Sequence, residues 1–186
     1  MKKIFIIIVL STLVLGTVFA QKKQPTGMRV EVAESETDHG DYSIFTYVDD
    51  DDTFGYYLSL ARTSDFLGAD EILGMQVKNI REVAIWLGAT STEAMETIGD
   101  ILDLFDKDLG TTAEFRSRAT TGSARLSDYI NTNCVVEKKP LGGKRLQFFF
   151  PSGKKQAYAY LTKSVLKELR MNFKFDLKLH PKQHRK

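Results

Sequence analysis

Four consecutive aspartates, Asp49 to Asp52, stand between two aromatic runs, YSIFTYV and FGYYLSLA. Clustered carboxylates can ligate a hard cation, so their spacing is the first thing to test. A calcium loop of the EF-hand type needs alternating oxygen ligands, a glycine at the sixth position and a bidentate glutamate at the twelfth. Counted from Asp49, the glycine is seventh (Gly55) and the twelfth residue is Leu60. The stretch reads instead as a solvated hairpin turn, in which crowded charge also keeps a short edge from pairing with other chains. A second acidic stretch, with Asp106, Asp108 and Glu114, misses the pattern as well, because its glycine is fifth and its twelfth residue is Ser117. No metal ligand is assigned.

Catalytic chemistry finds little to build on. The chain has 3 histidines, His39, His180 and His184, and 1 cysteine, Cys134. Cys134 lies in TNCVVEK, where a lone thiol reads as a small buried apolar residue rather than a nucleophile. No serine sits in a G-x-S-x-G context, and neither LGGK nor TTGSAR forms a phosphate cradle after a buried strand. No catalytic residue and no cofactor is assigned. A small exported hydrolase using carboxylates or a bound cation stays as the alternative, because an acid–base pair of carboxylates leaves no fixed sequence mark.

The stronger pattern is electrostatic. Residues 21–110 hold 7 Lys/Arg against 19 Asp/Glu, a net −12, and residues 111–186 hold 17 against 5, a net +12. In the basic half, Arg116, Arg118, Lys138, Lys139, Lys144, Arg145, Lys154 and Lys155 alternate with the aromatics Phe148, Phe149, Phe150, Tyr158 and Tyr160. Such a set can hold an anionic ligand through charge and ring contact. In the acidic half, Asp103, Asp106 and Asp108 fall where a helix should end, a place the macrodipole makes unfavourable for anions. They are therefore assigned as an acidic partner surface, which the basic half of the same molecule could meet. If both surfaces are open, the chain can associate with itself in a salt-sensitive way.

The N-terminus narrows the partners. Lys2 and Lys3, the apolar run IFIIIVLSTLVLG and then Val18-Phe19-Ala20 have the layout of a signal peptide, over residues 1–20. The expected product, residues 21–186, is a single exported domain, periplasmic or secreted, and does not span a membrane. Nucleic acid is a poor target outside the cell interior. An anionic glycan, a lipid or an acidic protein suits the basic half better. The sequence thus points to a non-catalytic binding or interaction protein.

These residues must be positioned by elements whose signals are mostly clear. MRVEVAE alternates as a half-buried strand, ESETDHGD reads as a loop, and the two aromatic runs flank the aspartates as a hairpin. REVAIWLGA is assigned as a strand, and TSDFLGADE as irregular. Thr90 and Glu93 form a capping-box pattern ahead of a helical stripe through Met95, Ile98, Leu102 and Phe105, with Gly110 placed to stop the helix. Four more strands are expected in AEFRSRA, YINTNCVVEK, RLQFFF and QAYAYLT, and then a helix near 162–172. FKFDLKL alternates strictly and suggests a closing strand, and HPKQHRK a frayed tail. The fold class is α+β: antiparallel sheet covered by two amphipathic helices, in two related ββββα halves, 28–110 and 111–180.

Overall fold

The structure, a computed structural model, describes residue 24 and residues 26–37, 40–61, 82–120, 125–152, 155–181 and 183–184. The targeting segment, most of the polar lead after it, the stretch TSDFLGADE and Lys154 lie outside the described residues. The elements run in the order β1 (Arg29–Thr37), β2 (Gly40–Val48), β3 (Phe54–Ala61), β4 (Glu82–Gly88), α1 (Ser91–Leu104), β5 (Thr112–Thr120), β6 (Ile130–Lys138), β7 (Lys144–Ser152), β8 (Lys155–Thr162) and α2 (Lys163–Leu179).

All eight strands join one antiparallel sheet in sequence order, so each strand pairs with its chain neighbours and β1 and β8 are the two edges. The sheet curves into a half-barrel. Its curvature brings β2 close to β8, where the Tyr42 hydroxyl donates to the Tyr160 carbonyl at 2.8 Å. α2 packs against β1 and β2 near one edge and against β8 at the other, while α1 packs against β3, β4 and α2. Two polar contacts fix α2 to β1: Ser35 Oγ donates to Glu168 at 3.0 Å, and Asn172 Nδ2 donates to the Glu34 carbonyl at 3.0 Å.

Period-two alternation sends one set of side chains inward. Tyr56, Leu58, Val83, Ile85, Leu146, Phe148 and Phe150 meet Ala94, Ile98 and Ile101 of α1 and Leu166, Leu169 and Phe173 of α2 in one apolar cluster. Burying this surface is the main favourable term of the fold. Strands β2 to β4 are also buried outward. There Phe45, Tyr47, Tyr57, Ala84 and Leu126 form a second, smaller cluster with Trp86 packed against it. Among the outward side chains of β5 to β8, Arg118 is buried, whereas Phe149, Tyr158 and Tyr160 are only half-buried.

Several expectations are corrected. Residues 173–179 continue α2 instead of forming a strand. Phe173 and Leu177 face the core at a four-residue step, and their packing against the sheet outweighs the alternating pattern. The stretch expected as a loop at 34–41 is largely strand, with Thr37 paired to Gly40. Gly110 does not stop α1, because Phe105 is the C-cap. At a positive φ of 85°, Gly110 instead turns the chain into β5 and donates its N–H to the Val136 carbonyl at 2.8 Å. The tail is not frayed at His184, which is 7% exposed. Its Nδ1 lies 3.0 Å from the Tyr56 hydroxyl and its Nε2 lies 2.8 Å from Asp176. The expected capping box at Thr90 and Glu93 is present in full.

Gly55 shows how tightly the outward cluster is packed. A Cβ placed there would lie 1.9 Å from Cζ3 of Trp86, so the indole would have to move. Gly55→Ala is expected to destabilise the fold by about 1–3 kcal/mol through overpacking. The check is a urea titration followed by Trp86 emission, the only tryptophan signal in the chain.

Candidate functional site

The aspartate turn is a structural junction. Asp49 to Thr53 link β2 to β3, with Asp49 N–H donating to the Thr53 carbonyl at 2.8 Å. Asp52 takes the left-handed conformation at φ 65°, which aspartate tolerates better than most residues. Asp51 accepts from Thr53, and these hydrogen bonds hold its carboxyl below the usual range. Asp49 instead reaches across to β5, where its carboxylate takes Arg118 Nη1 at 2.5 Å and Nη2 at 3.3 Å. Asp50 lies 3.7 Å from Arg125 in an exposed pair. Asp49 and Asp50 are thus engaged by arginines of the basic half.

Arg118 is the residue of the predicted basic face that the structure removes from it. The residue is 5% exposed. Its remaining donors go to the Ser127 and Leu126 carbonyls, at 2.5 and 3.3 Å, and its guanidinium stands 5.0 Å from the Tyr129 ring and 5.6 Å from Tyr47. Burial works to lower its pKa, but the hydrogen bonds with Asp49 and Tyr57 outweigh it and the pKa is raised. Tyr57 moves the same way, first through burial and then through its hydroxyl contact with Tyr129 at 3.1 Å. The alternation that places Arg116 and Arg118 on one face was readable in the sequence. The cover over Arg118, supplied by residues 126–129, was not.

The other basic residues fall into separate places. Arg116 is exposed on β5, its guanidinium 3.4 Å from the Tyr129 ring centre and 5.7 Å from Trp86. Arg145 of β7 lies 3.5 Å from the Tyr160 ring centre and donates Nε to Glu137 at 3.0 Å. Gln147 completes this patch by donating to the Tyr160 hydroxyl at 3.3 Å. Lys138 and Lys144 oppose each other in register at the mouth of the β6–β7 hairpin, with Lys139 following Lys138 into the turn. Lys155 begins β8 and pairs with Ser152, at the far end of β7 from Lys144. Tyr129 is the residue that sequence reasoning missed, and it joins Arg116, Arg118 and Tyr57. Its only signal is its place just before β6, beside the two arginines in register.

The acidic set is partly spoken for. Asp103, Asp106 and Asp108 are all exposed, and α1 has no basic residue in its last turn. Cations come from elsewhere: Lys163 holds Asp106 at 2.6 Å, and Lys144 Nζ donates to the Lys107 carbonyl. The hydrogen bond from Lys163 keeps the Asp106 carboxyl below the usual range. A cation brought to the carbonyl end of a helix also offsets the unfavourable dipole there. Among the described residues, no group of three or more His, Cys, Asp and Glu could hold a metal ion. Cys134 is buried, and burial pushes its thiol pKa up to about 12.

No protein-family model matches the chain, and no curated protein or solved structure matches it. The sheet, the two helices and the outward arginine–tyrosine contacts therefore carry the functional reading by themselves.

The aspartates should separate cleanly by role. Asp49→Ala leaves a buried guanidinium without its carboxylate, and about 2–4 kcal/mol of stability should be lost. Asp51→Asn should stay within about 0.5 kcal/mol, as exposed turn substitutions do. Chemical denaturation of both variants checks the contrast. Cys134, protonated and covered, should react with a disulfide reagent at pH 8 only as fast as the chain opens. Following that rate against denaturant concentration is the measurement.

Proposed function

We propose that this is an exported, non-catalytic binding protein that takes an anionic ligand on the outward face of β5 to β8. One observation carries the reading. Arg116 and Arg145 each place their guanidinium carbon over a tyrosine ring, 3.4 and 3.5 Å from its centre, Arg116 at the rim of the second cluster and Arg145 beyond it on the outward side of the sheet. A guanidinium held against a ring is already oriented, so it loses less freedom when a carboxylate or sulfate binds it in a fork. Half-buried Phe149 and Tyr158 add apolar surface on the same face. An anionic glycan, with apolar sugar faces and charged substituents, fits this mixture; an acidic protein surface is the other ligand of the same charge.

The proposal includes the build of the molecule. Four strands followed by a helix occur twice in the element order. Each helix opens on an extended threonine cap, Thr90 accepting from Glu93 N–H and Thr162 from Val165 N–H. This supports two related halves, each contributing a helix that covers part of the inward face. The hairpins match less well: five residues separate β2 from β3, but only residues 153–154 separate β7 from β8. The acidic and basic halves would then be joined by Asp49–Arg118, Asp50–Arg125 and Asp106–Lys163, leaving part of the basic half for a ligand.

Retention of residues 21–186 on immobilised heparin across a salt gradient tests the reading. The protein should bind at low salt, and Arg116→Glu with Arg145→Glu should elute at clearly lower salt with an unchanged circular dichroism spectrum, although with a lower melting temperature, because position 145 faces Glu137 across the β6–β7 pair. Flow-through of the unmodified protein at low salt would sink the proposal and mean that the two halves mask each other.

A further inference from the structure

The outer side of α2 carries apolar residues that the fold does not use. Val165, Leu166, Leu169 and Phe173 are buried, whereas Met171, Phe175 and Leu179 are 64%, 62% and 57% exposed. Residues at four-residue steps lie above one another on a helix, so these three form one continuous exposed stripe. A row of cations runs beside it. Lys167, Arg170, Met171, Lys174, Phe175 and Lys178 line a shallow groove of about 420 Å³, four cations around two apolar side chains. Among the described residues, the ion pairs of α2 are Lys163–Asp106 and those of Asp176 with His180 and His184, and none involves Lys167, Lys174 or Lys178. Arg170 Nε is buried and finds no hydrogen-bond acceptor.

The geometry points to α2 as a docking surface for an anionic lipid bilayer. In this arrangement Met171, Phe175 and Leu179 enter the boundary between headgroups and acyl chains, and the lysines meet headgroup phosphates. An apolar stripe flanked by lysines is the pattern of a helix lying in the interface plane. Lysine suits this position because its stem can rest on apolar surface while the ammonium reaches the phosphate layer. Charge complementarity selects an anionic surface over a neutral one. A second copy of the chain is the weaker occupant, since Asp106, part of the acidic surface it would have to offer, is already held by Lys163. The inference is independent of the outward sheet face, because it uses other residues on another element.

The test uses the chain from Gln21 to Lys186, which contains every described element. Co-sedimentation is measured with vesicles of equal parts phosphatidylglycerol and phosphatidylcholine, and with vesicles of phosphatidylcholine alone. Binding should require phosphatidylglycerol and weaken with salt. Each of Lys167→Gln, Lys174→Gln and Lys178→Gln should cost about fivefold in partitioning, on the order of a hundredfold combined. Met171→Ser with Phe175→Ser should cost about tenfold or more with no change in circular dichroism or melting temperature, since these side chains are outside the core. The Arg116→Glu, Arg145→Glu variant should bind vesicles nearly as well as the unmodified chain. Absence of binding, or binding that the α2 substitutions leave unchanged, overturns the inference. So does a dimer in light scattering that Phe175→Ser dissociates while vesicles are ignored, which would make a second copy the occupant.

Discussion

A guanidinium buried in a sheet must find acceptors for its donors, and Arg118 sets this constraint for the whole molecule. Leaving a charge uncompensated in such a place would cost several kcal/mol. Asp49 supplies two oxygens from the acidic half, and the Leu126 and Ser127 carbonyls supply the rest from the segment before β6. The β2–β3 turn, β5 and the chain approaching β6 are therefore held in one relation. Tyr47, Tyr57 and Tyr129 close around the same group, and Trp86 packs edge-on against Tyr57 and Tyr129. The second cluster outside β2 to β4 is in this sense built around a charge.

That arrangement explains why the two ends of the sheet differ. Where Arg118 and its cover lie, the outward face is closed and apolar. Beyond it, from Arg116 to Arg145, the same face carries half-exposed rings and arginines. On the inward side the two helices share one cluster with the strands, and α2 contacts both edge strands of the meander. An edge strand exposes a row of unpaired backbone groups that invites other chains. Glu34, on edge strand β1, gives its carbonyl to Asn172 of α2, so one edge group is met within the molecule.

Much of this order was legible in the sequence, and the failures share a cause. A strand was expected in every stretch where the structure describes one, from alternation in MRVEVAE and from aromatic and β-branched content in the two runs around the aspartates, although the second half of β1 was read as a loop. The Thr90–Glu93 box fixed the start of α1 from local chemistry alone. FKFDLKL misled because Phe173 and Leu177 satisfy both a two-residue and a four-residue period, and only the position of the sheet decides between them. His184 and Tyr129 were invisible for the same reason. Their partners, Tyr56 with Asp176 and Tyr57 with Arg118, come from 128 and 72 residues away for the tyrosine contacts, and no local pattern encodes such a pairing.

The charge division follows the same logic. Composition gave the halves their opposite signs, but not how far they neutralise one another. Asp49, Asp50 and Asp106 each meet a cation of the basic half, yet only the first pair involves a buried guanidinium. Exposed pairs such as Asp50–Arg125, with both side chains more than 70% exposed, contribute little and are screened by salt. The halves are thus locked at one point and loosely matched at others. Arg116 and the α2 lysines Lys167, Lys174 and Lys178 stay exposed, whereas Arg145 is held by Glu137 of its own half.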